Sequence, residues 1–254
     1  MSSAMGLPAD TIFAVLLLAI VSGLTTLIGV GLAVYVGRND KGIAAGIGFS
    51  VGIMVLISVF ELLPEAAQTA GEKYTGLAVL FAVLLMALLH WAIPHIHLVA
   101  EKGAFAGQAM RSAYLVALGL ILHDFPEGFA MANAYLINPS MGLLVALGIA
   151  AHNIPEEFAM AAPAVLLRQR GFLYRAALVS ALAEPIGAVL GIYAVWLQPD
   201  WHGMFLAFAA GAMIFVSLHE LVPMARRYRH PQLFLLGIAA SALVYSVLTT
   251  MIPD

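Results

Sequence analysis

Two short stretches concentrate the residues that can do chemistry. His123, Asp124 and Glu127 recur as His152, Asn153 and Glu156, each set in the pattern H-[DN]-x-P-E. At about 100° per residue, positions 0, 1 and 4 of a helix fall within an arc of about 100°, so each trio shares one face. Imidazole, carboxylate and amide donors in a chain without cysteine suit Zn, Fe, Mn, Co or Cd. A His and a carboxylate one turn apart chelate from one helix and leave a partner helix to close the shell. Glu184, in AEPIGA, adds a further carboxylate. Pro126, Pro155 and Pro185 each lack the N–H that would bond the carbonyl four residues earlier, which loosens the backbone beside these groups.

The elements that must position these residues lie in a membrane. The chain has 254 residues, 63% hydrophobic and 10% charged, with mean hydropathy +0.99, which excludes an ordinary soluble domain and disorder alike. Apolar stretches predict an all-α integral membrane protein, one polytopic membrane domain over 1–254. Its eight transmembrane helices are expected at about 11–36, 43–66, 75–98, 112–136, 141–167, 172–197, 203–225 and 232–252. The first span has no basic leader, so MSSAMGLPAD reads as a short tail and nothing is expected to be cleaved. A carboxylate at bilayer centre costs about 2.5–3.5 kcal/mol, so Asp124, Glu127, Glu156 and Glu184 together cost roughly 10 kcal/mol or more unpaired. No lysine or arginine lies at that depth to compensate. Two divalent cations would neutralise the four.

Counted loop by loop, alternate loops hold ten and one of the eleven Lys and Arg. The positive-inside rule puts the ten in the cytoplasm and both termini outside. Internal matches support the same plan. GFSVGIMVLISVFELLPEA (48–66) and AFAAGAMIFVSLHELVPMA (207–225) share 8 of 19 positions. SGLTTLIGVGLAV (22–34) and SALAEPIGAVLGI (180–192) share 5 of 13, and LILHDFPEGFAMAN (120–133) and IAAHNIPEEFAMAA (149–162) share 7 of 14. Helices 1–3 and 6–8 then form an inverted repeat around helices 4–5, a frequent transporter plan with its site near the midplane.

Other polar residues read more simply. Glu61 and Glu220 are repeat mates expected to flank an entrance and an exit, reinforced by Glu65 and His219, with His95 and His97 as a metal-collecting pair at the inner end of helix three. Met54 and Met213 read as packing residues, although a thioether near a soft-metal site can ligate. His202 and His230 read as structural, and Glu157 as facing a neighbouring helix or water. Gly- and Ala-rich stretches allow close contacts within a protomer or across a homodimer. No basic patch suggests nucleic acid; the partners expected are divalent metal ions and the lipid bilayer. Two rivals to a metal carrier are an intramembrane di-metal enzyme, against which no H-E-x-x-H or E-x-x-H occurs, and a proton-relay carrier without metal.

HDFPEG, HNIPEE, AEPIGA and AGAMIFVSLHELVP resemble the ZIP (Zrt/Irt-like) divalent metal transporters, the bacterial GufA/ZupT-like branch in particular. The resemblance implies a cell inner membrane protein, not an enzyme and without a prosthetic group, that moves Zn2+ or a related metal into the cytoplasm. It further implies a binuclear site. One position is lined by His123, Glu127, His152 and Glu156 with Met54, and the other by Asp124, Asn153 and Glu184 with Glu127 and Glu156 bridging. Helices one, four, five and six would slide as a block against the rest. Asp124 stands where many members have Asn, and Glu157 where Gly is usual, which puts close packing at that point of helix five in doubt. Occupancy needs ionised carboxylates and neutral imidazoles, so uptake into dye-loaded vesicles should weaken as pH falls toward about 6.5, the ordinary histidine pKa.

Overall fold

The first helix boundaries fall at an asparagine cap and at two glycines, and three later helices open on proline. The computed structural model describes residues 6–92, 123–165 and 170–252, and every regular element among them is helical. In chain order these are α1 Ala9–Val36, α2 Asp40–Ala70, α3 Glu72–Ala92, α4 123–137 and α5 Pro139–Val165. There follow α6, which runs Arg170–Ala181 and after a turn at Leu182 resumes as Ala183–Leu197, then α7 Pro199–Arg227 and α8 Pro231–Met251. The Asn39 side chain accepts from the Gly42 N–H at 3.2 Å and so starts α2, while α1 and α2 end at Gly37 and Gly71 with φ of 73° and 83°. Because such caps lie in polar turns, several helices start one to four residues before the apolar stretch alone suggests. Residues 93–98, 112–122 and 166–167 of the expected spans lie outside the described residues, as do His95 and His97.

Six candidate spans among the described residues are long and apolar enough to cross a bilayer: Ala9–Val36, Asp40–Ala70, Glu72–Trp91, Leu173–Leu197, Pro199–Arg227 and Pro231–Met251. With 27 residues α5 has the length, but His152, Asn153, Glu156 and Glu157 dilute its apolar character. The distribution is that of a protein in lipid. Phe81, Leu84, Trp91, Leu235 and Leu243 are exposed, whereas the charged and amide groups of α4 and α5 are buried.

Among the described residues the most extensive packing pairs α2 with both α7 and α8, α1 with α5 and with α6, α3 with α7, and α2 with α5. Glycines permit the close approaches. A side chain at Gly29 of α1 would strike the Ile154 carbonyl of α5, and one at Gly187 of α6 would strike the Phe125 carbonyl of α4. Similarly, Gly52 lies against the Ile238 backbone and Gly211 against the Val79 backbone, while Gly23 of α1 meets the Ala181 carbonyl of α6. These contacts fall at positions matched by the sequence shifts of 158, 159 and 29 residues. Within α2 and α7, π turns occur at Ser58–Leu62 and Ser217–Leu221, again 159 residues apart.

Close approach at Gly187 has a testable cost. Overpacking a tight contact costs about 1–3 kcal/mol, so Gly187→Leu should lower the apparent Tm of detergent-purified protein by about 4 °C or more. Gly76→Leu, where nothing lies within 4 Å of the added carbon, should leave it unchanged.

Candidate metal centre

The two motifs cross. On α4, His123 Nε2 lies 3.6 Å from Glu127 Oε1 one turn away, but its nearer neighbour is Glu156 Oε1 of α5, at 2.5 Å. Reciprocally, His152 Nε2 of α5 lies 3.0 Å from Glu127 Oε1 of α4. All four side chains are buried, none more than 3% exposed. The His123 and Glu156 atoms are close without being aligned as a hydrogen bond, since His123 Nε2 has no hydrogen-bond partner. Ligand atoms of His123, Glu127 and Glu156 lie within 4.8 Å of one another.

The His152 ring indicates what the cluster wants. Its Nδ1 is 2.9 Å from the Gly148 carbonyl, which can only accept, so Nδ1 carries a proton. In the neutral ring, Nε2 then presents a lone pair to a carboxylate oxygen that is also an acceptor. Something positive must stand with them, a proton or a metal ion. Neighbouring ligand atoms of a tetrahedral Zn2+ at 2.0–2.1 Å are about 3.3 Å apart, within the range spanned by these contacts. Glu127 Oε2 and Glu156 Oε2 are buried without hydrogen-bond partners, so the group has unused donor capacity for a cation.

A second polar group adjoins the first in sequence, one residue along each motif. Asp124 accepts a hydrogen bond from Ser180 of α6. Asn153 Nδ2 donates to Glu184 Oε1 at 2.6 Å and to the Ser22 carbonyl of α1 at 3.4 Å. Glu184 Oε2 has no partner, and Asp124, Asn153 and Glu184 are all buried. Here every donor is oxygen or amide. Pro185 denies the Ala181 carbonyl its helical partner, and that freed carbonyl is where Gly23 makes its close approach.

Known proteins resemble this chain along most of its length. The profile of the ZIP zinc transporter family matches residues 97–251. A zinc transporter ZupT of Akkermansia muciniphila is 35% identical over an alignment of 269 positions, gaps included, that covers 96% of this chain and 99% of that protein. The ZupT zinc transporters of Stenotrophomonas maltophilia and Corynebacterium efficiens are 34% and 37% identical, covering 92% and 82% of this chain and 94% and 85% of their own. The chain belongs to the ZIP family. It is accordingly a multi-pass membrane protein, similar over nearly its whole length to proteins named as transporters.

Other residues singled out in this ZIP chain lie in distinct surroundings. Met54 is fully buried, and its thioether accepts from Ser217 Oγ of α7 at 3.3 Å. Its helix reaches the centre one turn earlier, through Ser50, whose hydroxyl donates to the His152 carbonyl at 3.1 Å. Glu61 accepts from Tyr245 of α8, and Glu65 from Thr69 at 3.4 Å. Glu220 lies 3.3 Å from His90 Nδ1 of α3, and His219 packs edge-on against His90, with ring centroids 4.6 Å apart. Sequence reading missed His90, Tyr245 and Ser50, which carry no motif. It also passed over Ser22 and Ser180, although they form the first identity of the 22–34 and 180–192 match.

One expectation is corrected. Glu157 does not prevent close packing of α5: it is buried at 2% exposure, and the glycine that admits it is Gly29 on the opposing helix. His202 has the structural role expected of it, with Nε2 donating to the Asn133 carbonyl at 2.9 Å. Loss of that bond costs about 1 kcal/mol, so His202→Ala should lower Tm slightly while zinc stoichiometry in the purified protein stays at the wild-type value.

Proposed function

We propose that this protein carries divalent transition metal ions, zinc foremost and also iron, manganese, cobalt and cadmium, across the cell inner membrane into the cytoplasm. The observation that carries this reading is the crossed, buried arrangement of His123 with Glu156 and His152 with Glu127, at 2.5 and 3.0 Å. No lysine or arginine partner accompanies these groups among the described residues, where the one ion pair made by either type is Arg38–Asp40 between α1 and α2. The metal is cargo rather than a reagent or prosthetic group, and the protein is not an enzyme. The relatives' names support zinc as substrate.

The site is binuclear in this reading. His123, Glu127, His152 and Glu156 hold one ion, with Met54 approaching from α2. Asp124, Asn153 and Glu184 hold the other, with Glu127 and Glu156 shared. Nitrogen and carboxylate donors at the first position suit zinc, which needs no sulfur to bind well.

A single polytopic domain crosses the bilayer eight times, with both termini extracytoplasmic. Its halves, helices 1–3 and 6–8, are inverted about helices 4–5. Support comes from the loop charges and from glycine contacts recurring at repeat-matched positions. Helices α1, α4, α5 and α6 pack on one another and move as an elevator against α2, α3, α7 and α8. Glu61 and Glu65 lie toward the entrance, and His219 and Glu220 toward the exit.

Reconstituted vesicles loaded with a zinc-sensitive dye test the assignment. The triple variant His123→Ala, Glu127→Ala, Glu156→Ala should lose at least about 90% of wild-type flux, since tenfold in affinity is about 1.4 kcal/mol and several ligands go at once. Flux unchanged in that variant would reject the site.

A further inference from the structure

Asp124 and Asn153 occupy the same motif position on α4 and α5 but differ in what they offer. An ionised aspartate only accepts hydrogen bonds, whereas asparagine also donates. Asn153 uses its own N–H groups, on Glu184 and on the Ser22 carbonyl. Asp124 has no such group and takes its hydrogen bond from the Ser180 hydroxyl. Ser22 and Ser180 are themselves related by the shift of 158 residues. Both are buried, at 1% and 0% exposure, and the Ser22 hydroxyl lies beside the Glu184 carboxylate. The same serine position thus attends a carboxylate from both helices, Ser180 of α6 bonding Asp124 and Ser22 of α1 standing beside Glu184.

From this we infer that Ser180 is a positioning residue of the metal site: its hydroxyl fixes the Asp124 carboxylate for the arriving cation. The inference rests on the metal-carrier reading above. Asp124 turns about two side-chain torsions, and among the described residues no lysine or arginine pairs with it to orient it. A hydrogen bond from a fully buried hydroxyl on another helix limits that rotation and commits one oxygen, leaving the other for the ion. Ser180 also stands four residues before Glu184, on the far side of the turn at Leu182. One helix therefore both supplies a carboxylate and orients its neighbour. Outer-shell hydrogen bonds of this kind govern metal affinity because they hold a ligand in its binding orientation before the ion arrives.

The experiment measures zinc affinity of purified protein by competition with a chelating dye, and the concentration dependence of uptake in vesicles, for wild type, S180A, D124N and D124N/S180A. S180A should weaken zinc binding about tenfold and raise the uptake KM with little change in kcat. In the D124N background, where the side chain brings its own donors, S180A should change affinity by less than about twofold. Wild-type affinity in S180A, or an equal loss in both backgrounds, would overturn the inference. Should S180A alone not fold, D124N/S180A decides: recovery of folded, zinc-binding protein supports the role, and continued failure overturns it. Failure of the wider reading is separately visible, since wild-type vesicles would then take up no zinc at all.

Discussion

The structure depends on negative charge placed where, among the described residues, no lysine or arginine answers it. Asp124, Glu127, Glu156, Glu157 and Glu184 are all at most 3% exposed, and the nearby protein cations available are the two imidazoles His123 and His152. An unpaired buried carboxylate costs several kcal/mol, and hydrogen bonds from Ser180 and Asn153 offset only part of that. The remainder must come from an ion or from protons, so ion binding and the stability of the helix core draw on the same free energy.

Glycine and alanine let that charge be gathered. The carbonyls of Phe125 and Ile154 belong to the residue after Asp124 and Asn153, and each is met by a glycine from a neighbouring helix, Gly187 and Gly29. With larger residues there, α6 and α1 would stand off, and Glu184 and Ser22 would lie out of reach of the groups they now accompany. Close backbone contact therefore precedes the side-chain chemistry rather than decorating it.

Sequence reading picked out the residues that the structure gathers in its buried polar centre because metal chemistry restricts both residue type and spacing. His123 and Glu127 had to share a helix face to chelate at all, and the duplicated motif showed the same requirement twice. It did not show that each His reaches the other helix's Glu, because the motif fixes which face of its own helix carries the side chains and not how α4 lies against α5. His90 beside Glu220 and Tyr245 beside Glu61 were illegible for a different reason. Each pair is separated by more than a hundred residues and joins one ordinary helix residue to another. Glu157 misled because space for a side chain is a property of two surfaces, and its room was provided by Gly29 on α1.

The π turns follow from the sequence by a short chain of steps. Pro64 and Pro223 cannot donate to the carbonyls four residues earlier, at Phe60 and His219, and their rings crowd those carbonyls. The preceding turn opens, and the N–H groups of Leu63 and Val222 reach back five residues to Ser58 and Ser217. An extra residue in a turn rotates everything beyond it by about 100° relative to an unbroken helix. Residues before the turn, Met54 and Met213, are buried, while Glu61 and Glu220 are brought round to partners on α8 and α3. Lipid packing alone gives no reason for the same distortion to recur at the same glutamate in both helices. Directing a carboxylate away from the apolar stripe of its own helix does.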